Sequence, residues 1–190
     1  MVDKKSPDEL LEEVEIQQVE RERLNQVFQH FVNKSEDNRD KISPNHFGAA
    51  EVAKVLRELN SNLSKTEVQL MVWEVDEDLD GYVSRQEFET MYKRCVSDQT
   101  GLEPRKLFNL VRFLMYDQDF KGRITVEETL QLLYVRYGME HLESEIRALF
   151  GANEKTEDGT EKSITFNEYL AQINSRALAE RRSASKNKRK

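Results

Sequence analysis

DEDLDGYVSRQE, residues 76–87, is the one twelve-residue stretch of the chain that prescribes both a local shape and a chemistry. Asp76, Asp78 and Asp80 stand at loop positions 1, 3 and 5, where a tightly wound chain turns three short carboxylates toward one centre. Gly81 at position 6 permits the sharp turn that a Cβ obstructs. Tyr82 at position 7 offers its backbone carbonyl, Ser84 at position 9 binds directly or through water, and Glu87 at position 12 is long enough to return two oxygens. These are hard oxygen ligands without thiolate or imidazole, a set that suits calcium rather than zinc or copper. The stretch satisfies D-x-[DN]-x-[DN]-G-x5-E at every specified position.

Working outward, Val83 lies at loop position 8, and β-branched residues recur at Ile42, Ile124 and Ile164, at intervals of 41, 41 and 40 residues. Each is followed by a hydroxyl residue, Ser43, Ser84, Thr125 or Thr165, and aromatics stand five residues past three of them, at Phe47, Phe88 and Tyr169. Such register predicts four copies of one helix–loop–helix unit. The flanks read as helices. Phe28 and Phe31 lead into the first loop, and Val52, Val55, Leu56 and Leu59 leave it. Ser64 with Glu67 forms a capping-box signature ahead of Val68, Met71 and Val72. SDQTG at 97–101 interrupts the periodicity, Pro104 stands near the start of the next helix, and Gly138 ends the one after it.

The third loop, Asp117–Glu128, keeps Asp117, Asp119, Gly122, Thr125 and Glu128, with Arg123 at position 7. Its position 5 is Lys121, whose ammonium removes an oxygen ligand and repels an ion, so weak binding or none is expected. The first loop, taken as Ser35–His46, has Ser35 at position 1, Arg39 at position 5, Asp40 in place of the glycine and His46 in place of the glutamate. It is expected to keep the fold without the ion, with His46 an ordinary helix-start or surface histidine. In the fourth unit Phe150 precedes Ile164 by 14 residues where the equivalent spacing elsewhere is 11, which points to a three-residue insertion before Glu168.

On these residues the chain resembles the calmodulin superfamily of EF-hand proteins over roughly residues 24–175. The resemblance implies an all-α fold of two lobes, in which EF-hands pair through position 8: Ile42 with Val83, and Ile124 with Ile164. The implied organisation is an N-terminal helical extension (1–23), an N-terminal lobe (24–94), a linker (95–103), a C-terminal lobe (104–175) and a basic tail (176–190). It also implies calcium as the bound ion and a partner helix held in an apolar groove of one or both lobes. Retention of one intact site argues against cooperative switching.

Composition narrows the alternatives. Between Arg176 and Lys190 seven basic residues face one acidic residue, so the tail carries +6 and the remaining 22 basic and 35 acidic residues give the body −13 within a net −7. The body repels nucleic acid; the tail, expected to be disordered alone, suits an acidic surface such as tubulin. The single cysteine, Cys95, excludes an internal disulfide framework and fits a reducing compartment. No run reaches transmembrane length, no apolar stretch follows the charges of MVDKKSPDELLEEVE, and Val2 stands where myristoylation needs glycine. Leu10, Leu11, Val14, Ile16 and Val19 among glutamates predict an amphipathic helix before the first unit. No nucleophile–base pair or phosphate-cradling glycine run is present, so an enzyme is not expected. Two readings stay open: a cytoplasmic calcium-binding regulatory or adaptor subunit, and a constitutive structural component of a cytoskeletal assembly such as a ciliary or flagellar axoneme.

Overall fold

Residues 18–34 place Leu24, Val27, Phe28 and Phe31 three and four apart, and these four side chains are the buried stripe of the first helix. That helix, α1, runs unbroken over Pro7–Val32, so the extension and the first unit's leading helix are one rod with no end at residue 23. The computed structural model describes residues 7–34, 46–98, 100–151 and 160–187; side chains are described from Gln18 in α1 and, in α7, through Ala179 and at Arg182.

The remaining elements are β1 (His46–Gly48), α2 (Ala49–Glu58), α3 (Lys65–Trp73), β2 (Tyr82–Ser84), α4 (Arg85–Ser97), α5 (Lys106–Tyr116), β3 (Arg123–Thr125), α6 (Val126–Phe150), β4 (Ser163–Thr165) and α7 (Phe166–Asn187). The fold is all-α, with helix–loop–helix units joined by short antiparallel pairs, β1 with β2 and β3 with β4. Local signals work as written. Ser64 Oγ accepts from Glu67 N while Ser64 N donates to Glu67 Oε2 at 2.9 Å, which starts α3. Asp98 Oδ1 accepts from Thr100 N and Gly101 N at 2.7 and 2.9 Å, an Asx turn that stops α4. Gly138 takes φ 70° and ψ 172°, breaking α6 into two limbs, a conformation strained for any residue with a Cβ.

Two expectations are corrected. Ile124 does face Ile164, but Val83 faces Phe47, not Ile42. Ile42 and most of Ser35–His46 lie outside the described residues, and His46 is the first residue of β1, opposite Ser84, not a helix start. The first loop therefore closes on Glu51, whose Oε2 accepts from Gly48 N at 2.9 Å. Counted from Ser35 to Glu51 it has 17 residues where the intact loop has 12. The second correction concerns the tail, which continues α7 as helix to Asn187. RALAERRSASK is rich in residues that lose little freedom in a helix, so it extends the preceding turns at low cost. The inserted segment of the fourth unit falls at 152–159, outside the described residues.

The core is one continuous cluster. In the first half Phe28, Phe31, Phe47 and Phe88 interlock, with Phe31 stacked on Phe47 at 4.6 Å between ring centroids. In the second, Phe113, Phe166, Tyr169 and Tyr116 do the same. The helix between them, α5, is buried on nearly every side, at Leu107, Phe108, Leu110, Val111, Phe113, Leu114 and Met115. It packs on α1, α3 and α4 of the first half as well as α6 and α7 of its own.

Arg23 of α1 fastens this arrangement. Its guanidinium donates to three carbonyls at the end of α5, Met115 O at 3.0 Å and Leu114 O and Asp117 O at 3.3 Å, where the helix dipole is negative and the carbonyls have no intrahelical partner. Replacing Arg23 by Ala is expected to cost about 1–3 kcal/mol in urea unfolding, the worth of a few charge-assisted bonds at a half-buried site.

Candidate metal centre

The intact loop begins where α3 ends and closes at the first turn of α4. Leu79 at position 4 adopts φ 61° and Gly81 φ 87°, the two left-handed residues that turn the chain back over itself. One carboxylate oxygen each of Asp76, Asp78 and Asp80 lies within 4.8 Å of the others, the one such grouping among the described residues. Calcium sits 2.3–2.6 Å from oxygen, so ligand oxygens on opposite sides of it stand about 5 Å apart, and the three carboxylates fit round one ion.

Backbone amides preset the geometry. Asp76 is 7% exposed; its Oδ1 accepts from Asp80 N at 3.1 Å and its Oδ2 from Gly81 N at 2.8 Å. Asp80 Oδ1 accepts from Tyr82 N at 2.8 Å. Glu87 holds both ends: Oε1 accepts from Glu77 N at 2.7 Å and Oε2 from Ser84 N at 2.8 Å. Against its burial, which pulls the other way, the hydrogen bonds from Ser84, Glu77 and Asp78 hold the Glu87 carboxyl below the usual range. Asp78 goes the opposite way: its hydrogen bond from Asp80 N lowers it, but desolvation and the Asp80 and Glu87 carboxylates leave it raised. The centre thus concentrates negative charge that a cation would relieve. Tyr82 and Leu79 are 53% and 71% exposed, so the loop stands open to solvent.

The third loop repeats this backbone, with Phe120 at φ 56° and Gly122 at φ 80°. Asp117, fully buried, accepts from Lys121 N at 2.9 Å and Gly122 N at 2.8 Å. Its carboxyl is nevertheless pushed up to about 6, by desolvation first and by the neighbouring Asp119 and Glu128 carboxylates. The Lys121 ammonium forms an ion pair with the Asp119 carboxylate, so a tethered cation occupies the position 3 ligand. Glu128 Oε2 accepts from Thr125 N at 2.8 Å. Arg123 turns outward along β3, donating to Ser163 Oγ and O at 3.0 and 3.2 Å. The loop is also clamped from outside: Phe120 stacks on His30 of α1 at 3.9 Å with 11° between rings, and the end of α2 approaches Gly122 through Leu59. Spacing alone did not reveal this clamp, since position 4 is unrestricted in the loop pattern.

Comparison with known proteins agrees with this geometry. A family model described as "EF-hand domain pair" matches residues 20–93. The "Probable calcium-binding protein CML27" of Arabidopsis thaliana is 31% identical over 158 residues, 83% of this chain and 81% of that protein. The chain belongs to the EF-hand family of calcium-binding proteins. Other relatives are the "Calcium-binding allergen Ole e 8" of Olea europaea, 30% identical over 119 residues (63% of this chain, 67% of the relative). The "Polcalcin Cup a 4" of Hesperocyparis arizonica is 32% identical over 110 residues (56% and 62%). Membership of this EF-hand family makes the chain a non-catalytic protein. Among the described residues no helix is long and apolar enough to cross a membrane.

Trp73, the single tryptophan, is 64% exposed at the last turn of α3, three residues before Asp76. Calcium at micromolar concentration is expected to change its emission, and Glu87→Gln to abolish the change, as read by fluorescence titration. Lys121→Asp, which removes the tethered cation and restores an oxygen at position 5, is expected to raise the calorimetric stoichiometry from about one ion to about two.

Proposed function

We propose that this EF-hand protein is a calcium-binding regulatory or adaptor subunit built from four helix–loop–helix units, with Asp76–Glu87 its one competent calcium site. The observation that carries the reading is the contrast between two loops of the same backbone shape. In one, Asp76, Asp78 and Asp80 converge with no cation of the described residues paired to them, on a loop open to solvent. In the other, Lys121 engages Asp119 and Phe120 is pinned by His30. Asp76, Asp78 and Asp80 would supply carboxylate oxygens, Tyr82 its carbonyl, Ser84 its hydroxyl or a water, and Glu87 two oxygens.

Glu87 carries the mechanism. Its oxygens accept from Glu77 N and Ser84 N, so drawing both onto an ion with the three aspartates would move the first turn of α4 relative to the end of α3. Both helices pack on α5, so occupancy of the loop reaches the second half through that contact. The first-half face that would hold a partner helix is filled by α5.

The continuous core favours a second reading, a constitutive structural subunit of a cytoskeletal assembly, with the cations of the tail set against an acidic surface such as tubulin. Affinity for the partner that co-purifies with the full chain, measured in calcium and in EGTA, separates the two. At least a tenfold difference, lost in Glu87→Gln, is the regulatory outcome; equal affinities assign the constitutive one.

A further inference from the structure

Three cations and three carboxylates line the cleft bounded by α5, the second limb of α6 and α7, and the pairing among them does not close. Arg105 donates to Asp98 Oδ2 at 2.8 Å, and Arg176 forks onto both oxygens of Glu145 at 2.7 and 2.9 Å. Glu103 is taken by Arg94 at 2.9 Å, from outside the cleft. Arg112 is left. Its Nη2 donates to Tyr116 Oη at 2.7 Å and Tyr137 Oη at 3.3 Å, and its guanidinium lies over the Phe108 and Tyr116 rings at 5.7 and 5.8 Å. Among the described residues no carboxylate forms an ion pair with it, and Nε and Nη1 have no acceptor. The carboxylate on its far side, Glu20, is engaged by Arg136 at 3.1 Å and by the Tyr92 hydroxyl.

A second group beside it is unsatisfied. Tyr169 lines the same cleft, and its fully buried hydroxyl is the one buried side-chain polar atom among the described residues with no hydrogen-bond partner. Buried polar groups are normally paired, and a half-buried guanidinium normally meets an anion, so two omissions in one cluster ask for a ligand that answers both. The geometry points to a second ligand site in this cleft, for a small amphipathic carboxylic acid whose carboxylate meets Arg112 and the Tyr169 hydroxyl.

The ligand's chemistry follows from the walls. Nε and Nη1 lie on different edges of the guanidinium, so a carboxylate takes a single charge-assisted bond from one of them, and neutral tyrosine hydroxyls can turn their protons toward its oxygens. One spare cation suits a monoanion; a phosphate dianion would meet Asp98 and Glu145 with its second charge uncompensated. Phe108, Leu149 and Ile173 supply apolar wall, and the cavity of about 770 Å³ lies within the range of small-molecule sites. The site is separate from the calcium loop and does not rest on that reading.

The test uses the full chain, 2-naphthylacetate as the probe and 2-naphthaleneethanol as its neutral counterpart, followed by calorimetry at pH 7.5. The acid is expected to bind one to one and at least tenfold more tightly than the alcohol. Arg112→Gln removes that preference, and Arg112→Lys, which keeps the charge but loses the planar group that Tyr116 and Tyr137 hold in place, weakens the acid several-fold. Tyr169→Phe is the variant a merely structural role cannot mimic: it lowers affinity for the acid about threefold to tenfold while leaving the melting temperature of the unliganded protein unchanged or higher. Absence of saturable binding, equal affinity for acid and alcohol, or a lowered melting temperature in Tyr169→Phe each overturns the assignment.

Discussion

A glutamate three residues into a helix reaches back to the N–H that starts it, and this bond recurs wherever a loop of the protein closes. Glu51 accepts from Gly48 N, Glu87 from Ser84 N, Glu128 from Thr125 N and Glu168 from Thr165 N, all between 2.7 and 2.9 Å. One carboxylate satisfies a donor that neither strand nor helix can use, favours the positive end of the helix dipole, and brings the last ligand of the loop inward. The strand residue is thereby set for pairing, and the pairing joins neighbouring units. At Glu87 the second oxygen also reaches Glu77 N, so one side chain ties both ends of the loop.

The joint between the halves is built from the other kind of force. α5 is too apolar to leave any long face in water, and it buries the excess against α1, α3 and α4. Arg23 and His30 secure the contact at its polar end, on the α5 carbonyls and on Phe120. The third loop thus trades accessibility for a place in the interior: Asp117 is fully buried with its carboxyl raised, while Asp76 keeps its neighbours open to water. Loops with matching backbone turns stand in different surroundings because of what packs on them.

The intact loop, the Ser64–Glu67 cap, the Asp98 turn and the break at Gly138 were legible because each depends on residues close in sequence. The first loop misled for a physical reason. Ile42–Ser43 imitates the β-branched and hydroxyl pair of the other units, but pairing with Val83 needs the carboxylate four residues on, and that spacing belongs to Phe47 and Glu51. Val83 to Glu87, Ile124 to Glu128 and Ile164 to Glu168 show the same interval, a signal present in the sequence and stronger than composition. The tail lacks the apolar residues to bury itself after Leu178, but an existing helix needs no new nucleus to extend.

By itself the sequence determined the helix–loop–helix units, the convergence of Asp76, Asp78 and Asp80, and the lysine that sits among the third loop's carboxylates, because capping and loop closure are written within a dozen residues. Only the tertiary structure decided the register of the first strand, the sharing of α5 by both halves, the clamp on Phe120 and the unmatched pair of Arg112 and Tyr169. Each of these depends on which distant surfaces meet, and burial assigns that by area and shape, for which no local pattern carries a code.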